Sequence, residues 1–341
     1  MAIITLRDVG LQAKSWQWHL QNAIRSPLAL AKTLGIESEL QSIDVDSSFP
    51  LLVPMPYLQR IVPGDLTDPL LRQVLPIAAE RVVHQGFSAD PLQEVTFTQK
   101  SATSALIQKY HGRILIITTG ACAVNCRYCF RRHFPYGDSA PGHSDWLPVI
   151  KEIAADPAIT EVILSGGDPL ILNDARLAEL SRLIGAIPHV QTLRIHTRLP
   201  IVIPQRICDD LISWVSASTL KVVFVTHINH ANEIDDPVSA AIGKLSAAGV
   251  TLLNQSVLLR GVNDSSSALI DLSIRLFEIG ILPYYLHLLD PVSGAAHFDV
   301  PEDEALTLMK SISARLSGYL VPRLVREVPG AEAKQLLYRS A

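Results

Sequence analysis

The chain has 341 residues, 48% of them apolar and 18% charged, and a mean hydropathy of +0.25; it can bury a sizeable core and is not disordered. Its 29 basic and 33 acidic side chains give a net charge of −4, without the basic excess of a dedicated nucleic-acid binder. No apolar run reaches the ~18 residues of a membrane span, and the opening residues lack the charged-then-apolar order of a secretory signal. Three of the four cysteines fall within eight positions, a spacing that suits a metal or redox site better than a disulfide framework. A cytoplasmic protein with neither nucleic acid nor membrane as partner is expected.

In chain order, residues 1–105 mix helical stretches with proline-rich connectors such as PheProLeuLeuValProMetPro at 49–56, and are expected to form a helical N-terminal region. From there the sequence acquires a beat. Branched apolar runs begin at Arg113, Glu161, Thr192, Lys221, Thr251 and Pro283, after the first gap about thirty residues apart, the length of one βα unit. Helix-period segments lie between them at 176–184, 238–245 and 270–277, the first entered through Asn173 and Asp174 as caps. This alternation predicts an α/β fold with a parallel sheet. Six units are fewer than the eight of a closed TIM barrel, so residues 106–300 are expected to form a partial (βα)6 barrel. A further helix is expected at 302–317, and residues 301–341 then run extended into a Pro-Gly turn.

The most specific feature directly follows the first of these strands. Residues 120–134 read GACAVNCRYCFRRHF, so Cys122-x3-Cys126-x2-Cys129 can converge on one metal centre. Three thiolates are one short of the four that normally hold a [4Fe–4S] cluster, which leaves one iron open to a ligand. Tyr128 suits a residue shielding the cluster and an adenine-bearing ligand. The loop resembles the CxxxCxΦC signature of radical S-adenosylmethionine (SAM) enzymes. The alternative is a non-catalytic Cys3His zinc module completed by His133. Cys208, alone in a predicted helix, reads as a small buried hydrophobe.

The second strand ends in Ser165-Gly166-Gly167-Asp168-Pro169. Taken alone this is an ordinary βα turn; beside the cysteine loop it resembles the motif that holds the methionyl amino group of SAM. Polar residues recur at strand C-terminal ends (His196 and Arg198, His227 and Asn229, Asn254 and Gln255, Asp290), the rim where parallel barrels build their chemistry.

Taken together, CxxxCRxCxRR, SGGD, HxNHxNE from His227 to Glu233, NQSVLLRGVND from Asn254, D-x7-HF from Asp290 to Phe298, and PGxxxK ending at Lys334 resemble the lysine 2,3-aminomutase family across residues 100–335. The resemblance implies three cofactors: a [4Fe–4S] cluster on Cys122, Cys126 and Cys129; SAM beside Tyr128, Gly166, Gly167, Asp168, His227 and Gln255; and pyridoxal 5′-phosphate. Lys334 would form a Schiff base with the last, and Arg113 would hold its phosphate. Arg131 would take the substrate carboxylate, and Asp290 and Glu327 its distal ammonium. The family is expected to move the amino group of (S)-α-lysine from C2 to C3, giving (R)-β-lysine. A glutamate-type aminomutase, which should carry a cation or amide facing the substrate side chain, is one rival enzyme, and a radical SAM protein without pyridoxal phosphate is another.

Two departures stand out: Glu327 replaces the family's second aspartate, and the turn before Lys334 is not glycine-rich. The short form resembles the branch that serves β-lysylation of elongation factor P. That branch implies a lysyl ligase and elongation factor P as pathway partners, and a flavodoxin or ferredoxin as electron donor. Longer members carry a zinc-linked extension; here no zinc and a monomer or weak homo-oligomer are expected.

Overall fold

A computed structural model of the chain describes residues 9–98, 103–139 and 146–338; residues 1–8, part of the stretch read for a leader, lie outside them. One nine-stranded sheet runs in sequence order. The first strand, β1 (Leu106–Ile107), is antiparallel to β2 (Arg113–Thr119). The next are β3 (Glu161–Gly166), β4 (Thr192–Thr197), β5 (Lys221–Thr226), β6 (Thr251–Val257) and β7 (Leu282–His287). Strands β2 to β7 are parallel throughout, and they are the six strands of the expected partial barrel. The sheet goes further than the sequence suggests: β8 (Arg323–Arg326) adds a seventh parallel strand, and β9 (Gln335–Leu336) folds back on it antiparallel.

The helices follow from capping and periodicity. They are α1 (Leu147–Ala155), α2 (Asp174–Gly185), α3 (Asp209–Ser216), α4 (Asp236–Ala247), α5 (Ser266–Glu278) and α6 (Glu302–Ser313). Asn173, Asp235 and Ser265 accept the amides of Arg176, Val238 and Ala268, each cap worth about 1 kcal/mol. Asp174, the other expected cap residue, pairs instead with the buried Arg206 at 2.9 Å. Cys208 stands just before α3 rather than within it, 3.5 Å from Asp174. Among the described residues no helix is long and apolar enough to cross a membrane.

Residues before β1 form short helices, among them Pro27–Leu34, Met55–Leu58, Pro69–Arg72 and Glu94–Thr98, tied by isolated bridges. They pack onto the barrel: Leu30, Tyr57, Leu70 and Leu71 share a buried cluster with Ile116, Leu164 and Phe224. Ser88 also exchanges backbone hydrogen bonds with Pro291 and Ser293 beyond β7. The N-terminal region therefore lies against the C-terminal ends of the strands, where a parallel barrel places its chemistry.

Candidate active site

The cysteine loop is fixed from both sides. Toward the barrel, the Gly167 amide donates to the Thr119 carbonyl at 2.7 Å and the Asp168 amide to that of Ala121 at 2.8 Å. Gly166 adopts φ +125°, and a Cβ on either Gly166 or Gly167 would run into the backbone oxygen of Thr119 or Ala121. These glycines are required because two backbones touch. Toward the N-terminal region, the fully buried Arg127 donates Nε to Glu80 at 2.8 Å and Nη1 to the Phe49 carbonyl at 2.8 Å. Arg132 pairs with the same carboxylate at 2.7 Å. Glu80 thus binds two of the loop's three arginines.

Cys122, Cys126 and Cys129 carry free thiols and line a single cavity of about 440 Å³, within the ~300–1,000 Å³ usual for small-molecule sites. Burial pushes the Cys122 thiol upward and that of Cys129 to about 11, so thiolate ligation must be driven by a metal. Among the described residues no three His, Cys, Asp or Glu groups gather tightly enough to share one ion. A polynuclear cluster instead takes its thiolates at separate corners. His133, the fourth ligand of the zinc alternative, is exposed and contacts the Ser293 carbonyl at 3.2 Å.

Every residue that the resemblance assigns to a cofactor or the substrate lines this same cavity, as do His196 and Arg198, whereas Asn229 and Asn254 of the strand ends do not. Tyr128 is buried, packed edge-on against Phe298 at 6.2 Å. His227 meets Gln255 at 2.8 Å, Nε2 to Nε2. Burial, with Arg198 and Arg131 nearby, lowers its pKa to about 3, so the ring is neutral and accepts from the amide. Asp168 is more engaged than its expected role suggests. Its carboxylate accepts from the Thr197 hydroxyl at 2.7 Å and from the amides of Leu170, Arg198 and Leu199 at 2.8–3.0 Å. It fastens the end of β3 to the end of β4, leaving little lone-pair capacity for a ligand ammonium.

The other end of the cavity is a chain of charges. Arg131 forks onto Glu94, 2.6 Å from Nε and 3.0 Å from Nη2, with Nη1 on Ser165 at 3.0 Å. Lys109 lies 2.8 Å from Glu94 and 3.5 Å from Glu327. Glu327 also receives the Tyr110 hydroxyl and the Lys334 ammonium. The β8–β9 hairpin brings this about: Glu327 directly follows β8, Lys334 directly precedes β9, and Gly330 turns at φ +77°. Burial would raise the Glu327 pKa, but Lys334 and Lys109 outweigh it and hold it near 2. At Asp290 burial, reinforced by Glu327, outweighs the pull of the more distant Lys334 and Lys109 and raises the carboxyl to about 7. Arg113 lies over the Tyr110 ring, 5.0 Å from its centroid.

Sequence reasoning missed Glu94, Lys109 and Tyr110, which carry no motif. It also missed His287, although the inward phase of β7 (Tyr285, His287) offered a signal. His196 and His287 are both kept neutral by burial, and each has an Nε2 with no hydrogen-bond partner among the described residues.

The radical SAM superfamily model matches residues 116–272, from β2 through most of α5. The L-lysine 2,3-aminomutase of Escherichia coli (strain K12) is 47% identical over 97% of this chain and 96% of its own length. That of Haemophilus influenzae is 47% identical over 98% and 99%. The L-lysine 2,3-aminomutase of Clostridium subterminale is 34% identical over 94% of this chain and 76% of its own. A radical SAM family implies a [4Fe–4S] cluster and SAM, and the three-cysteine loop at the cavity has the donors to hold them. With this likeness spread over nearly its whole length, the chain belongs to the L-lysine 2,3-aminomutase family of radical SAM isomerases.

Proposed function

We propose that the protein converts (S)-α-lysine to (R)-β-lysine with a [4Fe–4S] cluster, SAM and pyridoxal 5′-phosphate. The observation carrying this reading is that one cavity is lined at once by the three cysteines, by Lys334 and by the two acids Asp290 and Glu327. When bound, the cluster and SAM supply a carbon radical able to take an unactivated hydrogen, and pyridoxal 5′-phosphate supplies a carbonyl for the migrating nitrogen. The chain contributes position and charge.

Lys334 is the amine for the carbonyl cofactor, and its ammonium lies over the Tyr285 ring at 5.9 Å. Once Lys334 is engaged, Glu327 loses a cationic partner and becomes available to the substrate's distal ammonium, with Asp290 as the second acid. Arg113 is assigned to the cofactor phosphate. Arg131 is assigned to the substrate carboxylate, which must compete with Glu94 for its fork. Tyr128, the backbone at Gly166 and Gly167, Asp168, His227 and Gln255 shape the SAM end. A glutamate substrate would set its distal carboxylate against these two acids, so lysine is favoured.

The similarity to bacterial L-lysine 2,3-aminomutases over their full length supports a cytoplasmic role. There β-lysine would pass to a lysyl ligase for elongation factor P, with flavodoxin or ferredoxin as reductant. Titration with pyridoxal 5′-phosphate tests the cofactor assignment. The parent should develop the absorption band of a lysine-bound aldehyde and Lys334→Ala should not; no band in the parent would point to radical SAM chemistry without this cofactor.

A further inference from the structure

The cavity assignments leave Arg198 and the HxNHxNE residues beyond His227 without a role. The Arg198 backbone is set by Asp168, and its buried guanidinium reaches two ways. Nη1 donates to Cys126 Sγ and to the Tyr128 hydroxyl, each at 2.7 Å. Nη2 donates to Gln73 Oε1 at 2.7 Å and Glu233 Oε2 at 2.8 Å. Glu233 is itself buried and held by the amides of Asn229 and His230 at 2.8 and 3.1 Å and by Gln73 Nε2 at 3.2 Å. Asn229 also donates to Gln73 at 3.0 Å. The motif therefore builds a socket for a carboxylate, and that carboxylate aims a cation at a cysteine sulfur. An arginine guanidinium stays protonated at any working pH.

Hydrogen bonds to ligand sulfurs and local net charge are what set the potential of an iron–sulfur cluster, and partners beyond the ligands tune the metal. We propose that Arg198 is a positioning residue that raises the reduction potential of the cluster on Cys122, Cys126 and Cys129, and that Glu233 limits the rise. The reduced cluster carries one more negative charge than the oxidised one. A fixed cation at Cys126 stabilises it preferentially, and an anion one step behind the cation counteracts part of that. The inference depends on the cluster and not on the assignment of Lys334.

The test is a redox titration of the anaerobically reconstituted full chain, followed by electron paramagnetic resonance, with SAM affinity measured in parallel. Arg198→Met should shift the midpoint to more negative potential. At fixed potential the reduced-to-oxidised ratio should drop about tenfold, equivalent to 59 mV for one electron. Glu233→Gln should shift it the opposite way, and Arg198→Lys should fall between parent and Met. Unchanged midpoints, or shifts of one sign in Arg198→Met and Glu233→Gln, would overturn the proposal. So would an unchanged midpoint with weakened SAM binding, which would make the guanidinium a contact for the methionyl carboxylate. Loss of iron from all three variants would overturn it as well, leaving the network a structural brace.

Discussion

The two ends of the cavity are built differently. At the cysteine end, Arg127 and Asp168 spend their hydrogen-bonding capacity on other protein groups and Arg132 binds Glu80, although the buried Nε atoms of Arg132 and Arg198 find no partner among the described residues. The backbones of β2 and β3 touch through glycines. At the lysine end, Asp290 has its pKa displaced to about 7, the buried Nε2 of His287 finds no hydrogen-bond partner among the described residues, and Lys334 sits on a hairpin closed by a two-residue strand. The first end is largely braced by protein groups before a ligand arrives. The second holds charges that a ligand must complete, and such perturbed groups mark the place where substrate binds.

The comparison is broken most severely at the cysteines. Replacing Cys122, Cys126 or Cys129 with Ala should abolish both cluster and 5′-deoxyadenosine formation; deoxyadenosine above background from any of them would remove that residue from the ligand set. Next in size is Glu80→Ala, which strands two buried guanidinium groups. Breaking such a pair costs about 3–5 kcal/mol. Denaturant unfolding should show a loss of that order, with lower iron content on reconstitution, whereas a loss under about 1 kcal/mol would mean water replaces the carboxylate. Gly167→Ala should cost about 1–3 kcal/mol through overpacking against Ala121, again with less iron bound; normal stability and iron would show that the two backbones can part.

The smallest effect belongs to the lysine end and sharpens the contrast. Asp290, with its pKa raised to about 7, holds a proton that the unfolded chain releases at the ordinary aspartate range. Stability therefore falls as pH rises from that range to about 7, and the cost remains above it. An ammonium ligand favours the ionised acid, so the KM for lysine should fall as pH rises through about 7. Asp290→Asn should raise KM and flatten that profile; a profile unchanged by the substitution would exclude Asp290 from the ammonium pocket.

How far the sequence could be read follows the same division. The cysteine end consists of contiguous runs whose local chemistry is complete, so GACAVNCRYC and SGGDP were legible, as were the strands from Arg113 onward. Strand β8 was not, because its four residues set an arginine at each end of Leu324 and Val325 and resemble an extended surface segment. The reason for the glycines was also hidden: the sequence suggested a βα turn or a SAM-binding motif, and the structure adds backbone contact with Ala121 and Thr119. Gln73, Glu80 and Glu94 could not be recognised, since each becomes meaningful through an arginine 37 to 125 residues away. Lys109 was a solvated lysine on any reading of its neighbours, and becomes part of the site because β1, β2 and β8 converge there.

The central claim is that one cavity couples radical generation to amino-group migration on lysine. Its direct test is an anaerobic assay of the reconstituted protein with dithionite, SAM, pyridoxal 5′-phosphate and (S)-α-lysine, quantifying β-lysine and 5′-deoxyadenosine together. The account predicts β-lysine in excess of deoxyadenosine, because an isomerase regenerates its radical source. Deoxyadenosine without β-lysine, or faster turnover of glutamate than of lysine, would contradict it.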